Sequence, residues 1–367
     1  MHDPRLAKMA MVLVDYSLEI REKDRLAIRA PSVAEPLICL VYEEALKRGA
    51  FPEAVIELPE LHQVLYETGN DAQLDDVSPR DRLLFEKFDA ILTILAPVNT
   101  RASTGISTEK IKRRRHAHRE LNRTLLERSS RGEMRWTATQ FPTHAAAQEA
   151  EMSLQDYEEF VFGACLLNDP DPVKRWQDVH DEHERIISFL EKRSVFRIIA
   201  PGIELTYRAP KRTWINSDGH KNFPSGEVFT SPLEDSMEGT VRFDFPAIVS
   251  NREVAGVELV FRSGVVVEAR AEKGHDYLLS LLDTDDGSRR VGEVAIGTNY
   301  GIDRFTKNIL FDEKIGGTMH IAVGAAYPET GGSNSSAIHV DFIASMKEEG
   351  AYYADGELFY ENGRFLI

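Results

Sequence analysis

Asp89-Ala90-Ile91-Leu92-Thr93-Ile94-Leu95 is an almost unbroken apolar run. Such a run has no wet face, and a strand buried on both faces belongs to a parallel sheet covered by helices. Working outward, residues 25–30 and 54–58 read as two more short strands around a helix over 35–48, and residues 6–20 have helical periodicity. A long basic helix over 109–128 and a strand over 135–139 continue the alternation. This βαβ pattern predicts an open α/β domain. A helical stretch then starts at Ser153 and reaches Leu167, Asn168-Asp169-Pro170-Asp171-Pro172 breaks it, and a charged helix over 173–192 leads out of the domain.

From Val195 the texture changes to short alternating segments, over 196–200, 204–208, 239–244, 256–261 and 265–271, with turns such as Arg262-Ser263-Gly264 between them. The chain of 367 residues is long enough for two cores. The expected architecture is α/β: an N-terminal open α/β domain over 1–194, then a β-rich α+β metal-binding domain over 195–367.

Forty-four Lys and Arg against 60 Asp and Glu give a formal charge of -16, which repels nucleic acid and anionic membrane surfaces. No apolar run approaches the roughly 20 residues of a membrane span, and the start lacks a signal-peptide pattern. A cytoplasmic protein is the expectation. Cys39 and Cys165, in separate apolar helical contexts, read as buried free thiols.

Chemistry gathers near the C-terminus. In Ile338-His339-Val340-Asp341-Phe342 the strand period of two puts His339 and Asp341 on one face, with apolar residues behind them. Met319-His320-Ile321 places another imidazole on a strand nearby. Alone, His320 reads as a core histidine; beside the His-x-Asp pair it reads as a ligand. Glu293 lies in the apolar strand Val291-Gly292-Glu293-Val294-Ala295-Ile296, Glu313 closes Ile309-Leu310-Phe311-Asp312-Glu313, and Glu227 follows the turn Phe223-Pro224-Ser225-Gly226. Imidazole and carboxylate together suit Zn, Co, Mn or Fe rather than an all-oxygen calcium site. Tyr327, after the small residues Gly324-Ala325-Ala326, is either a packing ring before Pro328 or a hydroxyl able to stabilise an oxyanion. The loop Thr330-Gly331-Gly332-Ser333-Asn334-Ser335-Ser336 directly precedes the His-x-Asp strand.

Other features carry less. His183-Glu184-Arg185-Ile186-Ile187 starts like a zincin helix but has Ile187 where the second histidine belongs. His180 and His183 read as the solvated face of a charged helix. The acidic run Asp283-Thr284-Asp285-Asp286-Gly287 has its glycine one place early for a calcium loop. Lys112-Arg113-Arg114-Arg115 reads as facing solvent or a partner subunit. Walker A, GxSxG and strand-following GxGxxG patterns are absent from the sequence.

Glu227, Gly292-Glu293-Val294-Ala295, Leu310-Phe311-Asp312-Glu313, His320-Ile321-Ala322-Val323-Gly324, Tyr327-Pro328 and His339-Val340-Asp341 resemble, in order and spacing, the metal-site segments of the aminopeptidase T and aminopeptidase S family of metallo-exopeptidases. Arg135-Trp136, Phe141-Pro142-Thr143, Ala147-Gln148 and Met152-Ser153 extend the resemblance into the first domain. It implies a homodimer acting on short peptides with two divalent metal ions. Carried over by position, the resemblance implies that Glu227, Glu293, Glu313, His320, His339 and Asp341 are the metal ligands and Tyr327 the active-site tyrosine. Six ligands are more than two open metal positions need, so Glu227 or Glu293 is expected to serve also as general base. The stretch Gly297-Thr298-Asn299-Tyr300-Gly301-Ile302 departs from the His-Asp-containing segment of bacterial members. Two other readings remain: a mononuclear iron ring-opening dioxygenase using His320, His339 and Asp341, and a binding protein with a vestigial site.

Overall fold

The structure, a computed structural model, describes residues 3–102, 104–250 and 252–367. The chain forms two compact units, Met1–Trp176 with Gly219–Pro224, and Gln177–Asp218 with Ser225–Ile367.

The first unit is built on a parallel sheet whose strands run, in order, Phe51–Glu57, Arg25–Pro31, Ala90–Leu95, Arg135–Gln140 and Asn222–Phe223. The apolar run that opened the sequence reading is its central strand, with Ala90, Ile91, Leu92 and Ile94 all buried. The predicted first helix is Pro4–Val12 continued by a wider π turn, Leu13–Ser17. The predicted basic helix over 109–128 is instead two helices, Thr108–Ala117 and Arg119–Ser130, parted at His118. Of its basic run, Lys112 and Arg115 are exposed, whereas Arg113 pairs with Asp71 and Asp75 of its own unit and Arg114 donates to the carbonyls of Leu74 and Asp76. Cys165 is buried as expected, but Cys39 is exposed, because it falls on the outer side of the helix Glu35–Lys47 whose inner side is Leu37, Ile38, Val41 and Ala45.

Besides the two-stranded ribbon of Ala247–Val249 and Arg252–Val254, the second unit holds two larger antiparallel sheets. One has eight strands, from Val265–Arg270 at one edge through Val195–Ala200 to Arg364–Phe365 at the other. The other has five, in the order His339–Ser345, Thr318–Gly324, Val291–Gly297, Glu227–Thr230 and Ile215–Ser217. Phe196, Ile198, Leu205 and Tyr207 from the eight-stranded sheet share one apolar core with Val228, Val294, Ile296, Met319, Ile321, Val323, Val340 and Phe342 from the five-stranded sheet. Alternate residues of the smaller sheet therefore supply the core. The residues between them, including Glu227, Glu293, His320, His339 and Asp341, fall on its other face.

Among the described residues no helix is long and apolar enough to cross a membrane.

Candidate metal centre

Strand register gathers the candidate ligands. Ala322 pairs with both Glu293 and Asp341, Ala295 with His320, and Gly297 with Glu227. Small residues thus sit beside each acid or imidazole and leave the space in which their side chains converge. Two glycines fix the approach. Gly226, at φ +126, brings the chain so close to Asn299 that a β-carbon would lie 2.6 Å from the Asn299 Cβ, and this corner delivers Glu227. At Gly292 a β-carbon would lie 2.2 Å from the carbonyl oxygen of Ala325. That carbonyl accepts a hydrogen bond from His339 Nδ1 at 2.8 Å, which turns Nε2 toward the site.

The donors form two groups, Glu227 with Glu293 and His320, and Glu293 with His339 and Asp341. Glu293 belongs to both: its Oε1 lies 3.3 Å from His320 Nε2 and its Oε2 3.4 Å from His339 Nε2. Glu227 Oε2 lies 3.7 Å from His320 Nε2, and Asp341 Oδ1 lies 3.6 Å from His339 Nε2. Donors about 2.0–2.1 Å from a tetrahedral Zn are roughly 3.3 Å from one another, so these separations fit the edges of coordination polyhedra. Among the described residues, Glu227 Oε2 and His320 Nδ1 are buried without a hydrogen-bond partner. A carboxylate oxygen in that condition is costly to bury unless a cation meets it, and the donor set fits a divalent metal.

The electrostatics of the metal-free site agree. Burial alone would lower the imidazoles, but Glu293 and then Glu227 hold His320 up at about 9. Against the same cost of burial, Asp341 and Glu293 hold His339 at about 11. Burial would raise Glu293 and Asp341; the histidines outweigh it and keep both carboxyls below their ordinary values.

Glu313 stands apart from the two donor groups. It caps the short helix Ile309–Asp312, and its Oε1 touches the Nζ of Lys314, whose side chain is 0% exposed and also lies 3.5 Å from Glu227 Oε1. Burial pushes the Glu313 carboxyl up while Lys314 pulls it back; burial would lower Lys314, but Glu227 and then Glu313 hold it above the ordinary lysine value. With Glu313 in contact and Glu227 close by, Lys314 is held as an ammonium in an ion pair despite its burial. Lys314 carries no signal of this role in the sequence, because a lysine after an acid at a turn looks solvated.

Tyr327 borders the second group, 43% exposed. Its hydroxyl is held above the ordinary phenol value by burial and by Glu293, Asp341, Glu313 and Glu227. His183 corrects its expected place on a wet helix face. It is 1% exposed, donates from Nδ1 to Asn216 Oδ1 at 2.7 Å and accepts at Nε2 from Thr298 Oγ1 at 2.8 Å. Burial lowers its pKa, which suits this neutral tautomer. Through Thr298, whose amide donates to Gly226, it braces the Glu227 corner. Asp285, from the run that resembled a calcium loop, accepts from the amides of Gly287 and Ala337 and from the hydroxyls of Ser288 and Ser336, and so ties down the approach to His339.

A sheet face on which one carboxylate faces two imidazoles, with two more carboxylates beside them, is a donor set able to hold divalent metal. The model of the thermophilic metalloprotease (M29) family matches residues 2–365, and the chain belongs to that family. Aminopeptidase 2 of Geobacillus stearothermophilus is 28% identical to it over 93% of this chain and 92% of the relative. Aminopeptidase T of Thermus thermophilus is 28% identical over 98% and 95%. The solved structure of wild-type AmpT from Thermus thermophilus superposes with a TM-score of 0.86 at 26% identity, covering 99% of each chain.

Proposed function

We propose that this metallo-aminopeptidase releases N-terminal amino acids from short peptides using two divalent ions, Zn, Co or Mn, held in the β-rich domain over residues 195–367. The single observation that carries the reading is the division of Glu293, one oxygen facing His320 and the other His339. Glu227 and His320 complete one position, His339 and Asp341 the other, and Glu313 closes the Glu227 side. When bound, such a pair of ions lowers the pKa of a water toward neutrality and polarises the scissile carbonyl.

The chain's own groups do the rest. Glu293, engaged on both oxygens, holds the two halves of the site in register. Glu227 Oε2 accepts no hydrogen bond from the described residues and is the better placed of the two glutamates to take the proton of the attacking water. Tyr327 keeps its proton and donates to the carbonyl oxygen as charge develops there. The surplus of carboxylates suits a protonated substrate amino terminus. A mononuclear iron site is less well supported, because among the described residues His320 does not share a donor group with both His339 and Asp341. The same reading makes the enzyme a cytoplasmic homodimer without nucleic-acid or membrane partners.

The test is metal-depleted protein assayed on amino-acid nitroanilides, with Zn, Co, Mn and Fe restored in turn. Hydrolysis returning with Zn, Co or Mn is the expected result. Activity returning only with Fe, on an aromatic ring substrate, would overturn the proposal.

A further inference from the structure

Lys314 is a cation already in residence beside one half of the metal centre. Its side chain is wholly enclosed, its ammonium touches Glu313 and lies 3.5 Å from Glu227 Oε1, while the other oxygen of Glu227 accepts no hydrogen bond from the described residues and faces His320 at 3.7 Å. Among the described residues the close ion pairs of Lys314 are to Glu313 and Glu227; the half formed by Glu293, His339 and Asp341 feels it less, through Asp341, and its donors face one another with His339 fixed from behind by the Ala325 carbonyl.

We propose that Lys314 makes the two metal positions unequal, weakening the ion held by Glu227, Glu293 and His320 while the ion held by Glu293, His339 and Asp341 binds tightly. This rests on the two-metal reading above. The cause is twofold. The ammonium draws charge from Glu227 and Glu313, leaving less for a second cation, and it repels any ion entering between Glu227 and His320. It also keeps those buried carboxylates compensated when that position is empty, so the half-loaded protein stays folded. The weaker ion then exchanges with the surroundings while the tighter one remains.

The experiment is calorimetric titration of metal-depleted protein with zinc chloride, and separately with manganese chloride, with bound metal counted by elemental analysis after dialysis. Wild-type protein is expected to bind two ions in steps at least tenfold apart. Lys314→Met should tighten the weaker step at least tenfold, leave the stronger within threefold, and lower the metal-free melting temperature while enlarging the rise that metal produces. Asp341→Asn should remove the stronger step. Lys314→Gln, which keeps a hydrogen-bond donor without the charge, serves if the methionine variant does not fold, and the same tightening is expected of it. Two ions bound with affinities that the neutral variants leave unchanged or weaken would overturn the role of Lys314 alone. Wild-type protein that takes up no ion would overturn the metal reading itself, and this inference with it.

Discussion

Tyr327 meets His339 edge-on, with ring centroids 5.1 Å apart and planes inclined at 67°. Phe229 packs on the tyrosine as well, at 5.4 Å, so the ring is steered while its hydroxyl remains free to act. Burial and the surrounding carboxylates keep that hydroxyl protonated through the working pH range, which makes it a donor and not a base. Tyr327→Phe keeps the ring contacts and removes the donor. Its kcat should fall by about 10²- to 10³-fold with KM and metal content little changed. Loss of bound metal would show instead that the tyrosine only props His339.

The glutamates should separate by metal counting. Glu293→Gln weakens both donor groups, so it should lose most of its bound metal together with its activity. Glu227→Gln leaves Glu293, His339 and Asp341 intact and should retain at least one ion while turnover falls by about 10²- to 10⁴-fold. Elemental analysis beside turnover tells them apart. Equal metal loss in the two variants would remove Glu293 from its bridging place.

Much of this was legible in the sequence because strand periodicity is a strong signal. The Asp89–Leu95 run and the alternation in Ile338–Phe342 both project directly into the sheets, and the six candidate ligands lie in one unit. What the sequence could not show was set by distant packing. Lys314 and His183 look solvated among charged neighbours, yet Lys314 is enclosed by the adjacent Glu313 and the distant Glu227, and His183 by Asn216 and Thr298, and those long-range partners leave no local trace. The exposure of Cys39 likewise depends on which side of its helix faces inward, and an apolar residue beside Leu37 and Ile38 leaves that open.

Gly292 is a steric requirement on the site. A methyl group there would lie 2.2 Å from the Ala325 oxygen, a backbone atom that cannot swing away, and that same oxygen orients His339. Gly292→Ala should cost about 1–3 kcal/mol or more in denaturant unfolding and should weaken metal binding through His339 as well. A variant of wild-type stability and metal content would show that the Glu293 strand has more room than the contact allows.

Metal uptake should release protons, and the sign follows from the two raised imidazoles. In metal-free protein His320 is held at about 9 and His339 at about 11, in each case by carboxylates that outweigh burial. At pH 7.5 both rings are therefore protonated, and Nε2 must give up its hydrogen before its lone pair can meet an ion. Binding is disfavoured in acid and strengthens with pH, by about tenfold per unit for each imidazole displaced, until about pH 9 for His320 and about pH 11 for His339. Calorimetry in buffers of different ionisation enthalpy counts the protons directly, and about two per filled centre are expected near neutrality. A count near zero, or affinity independent of pH between about 6 and about 8, a range wholly below the first imidazole, would remove the histidines from the ligand set.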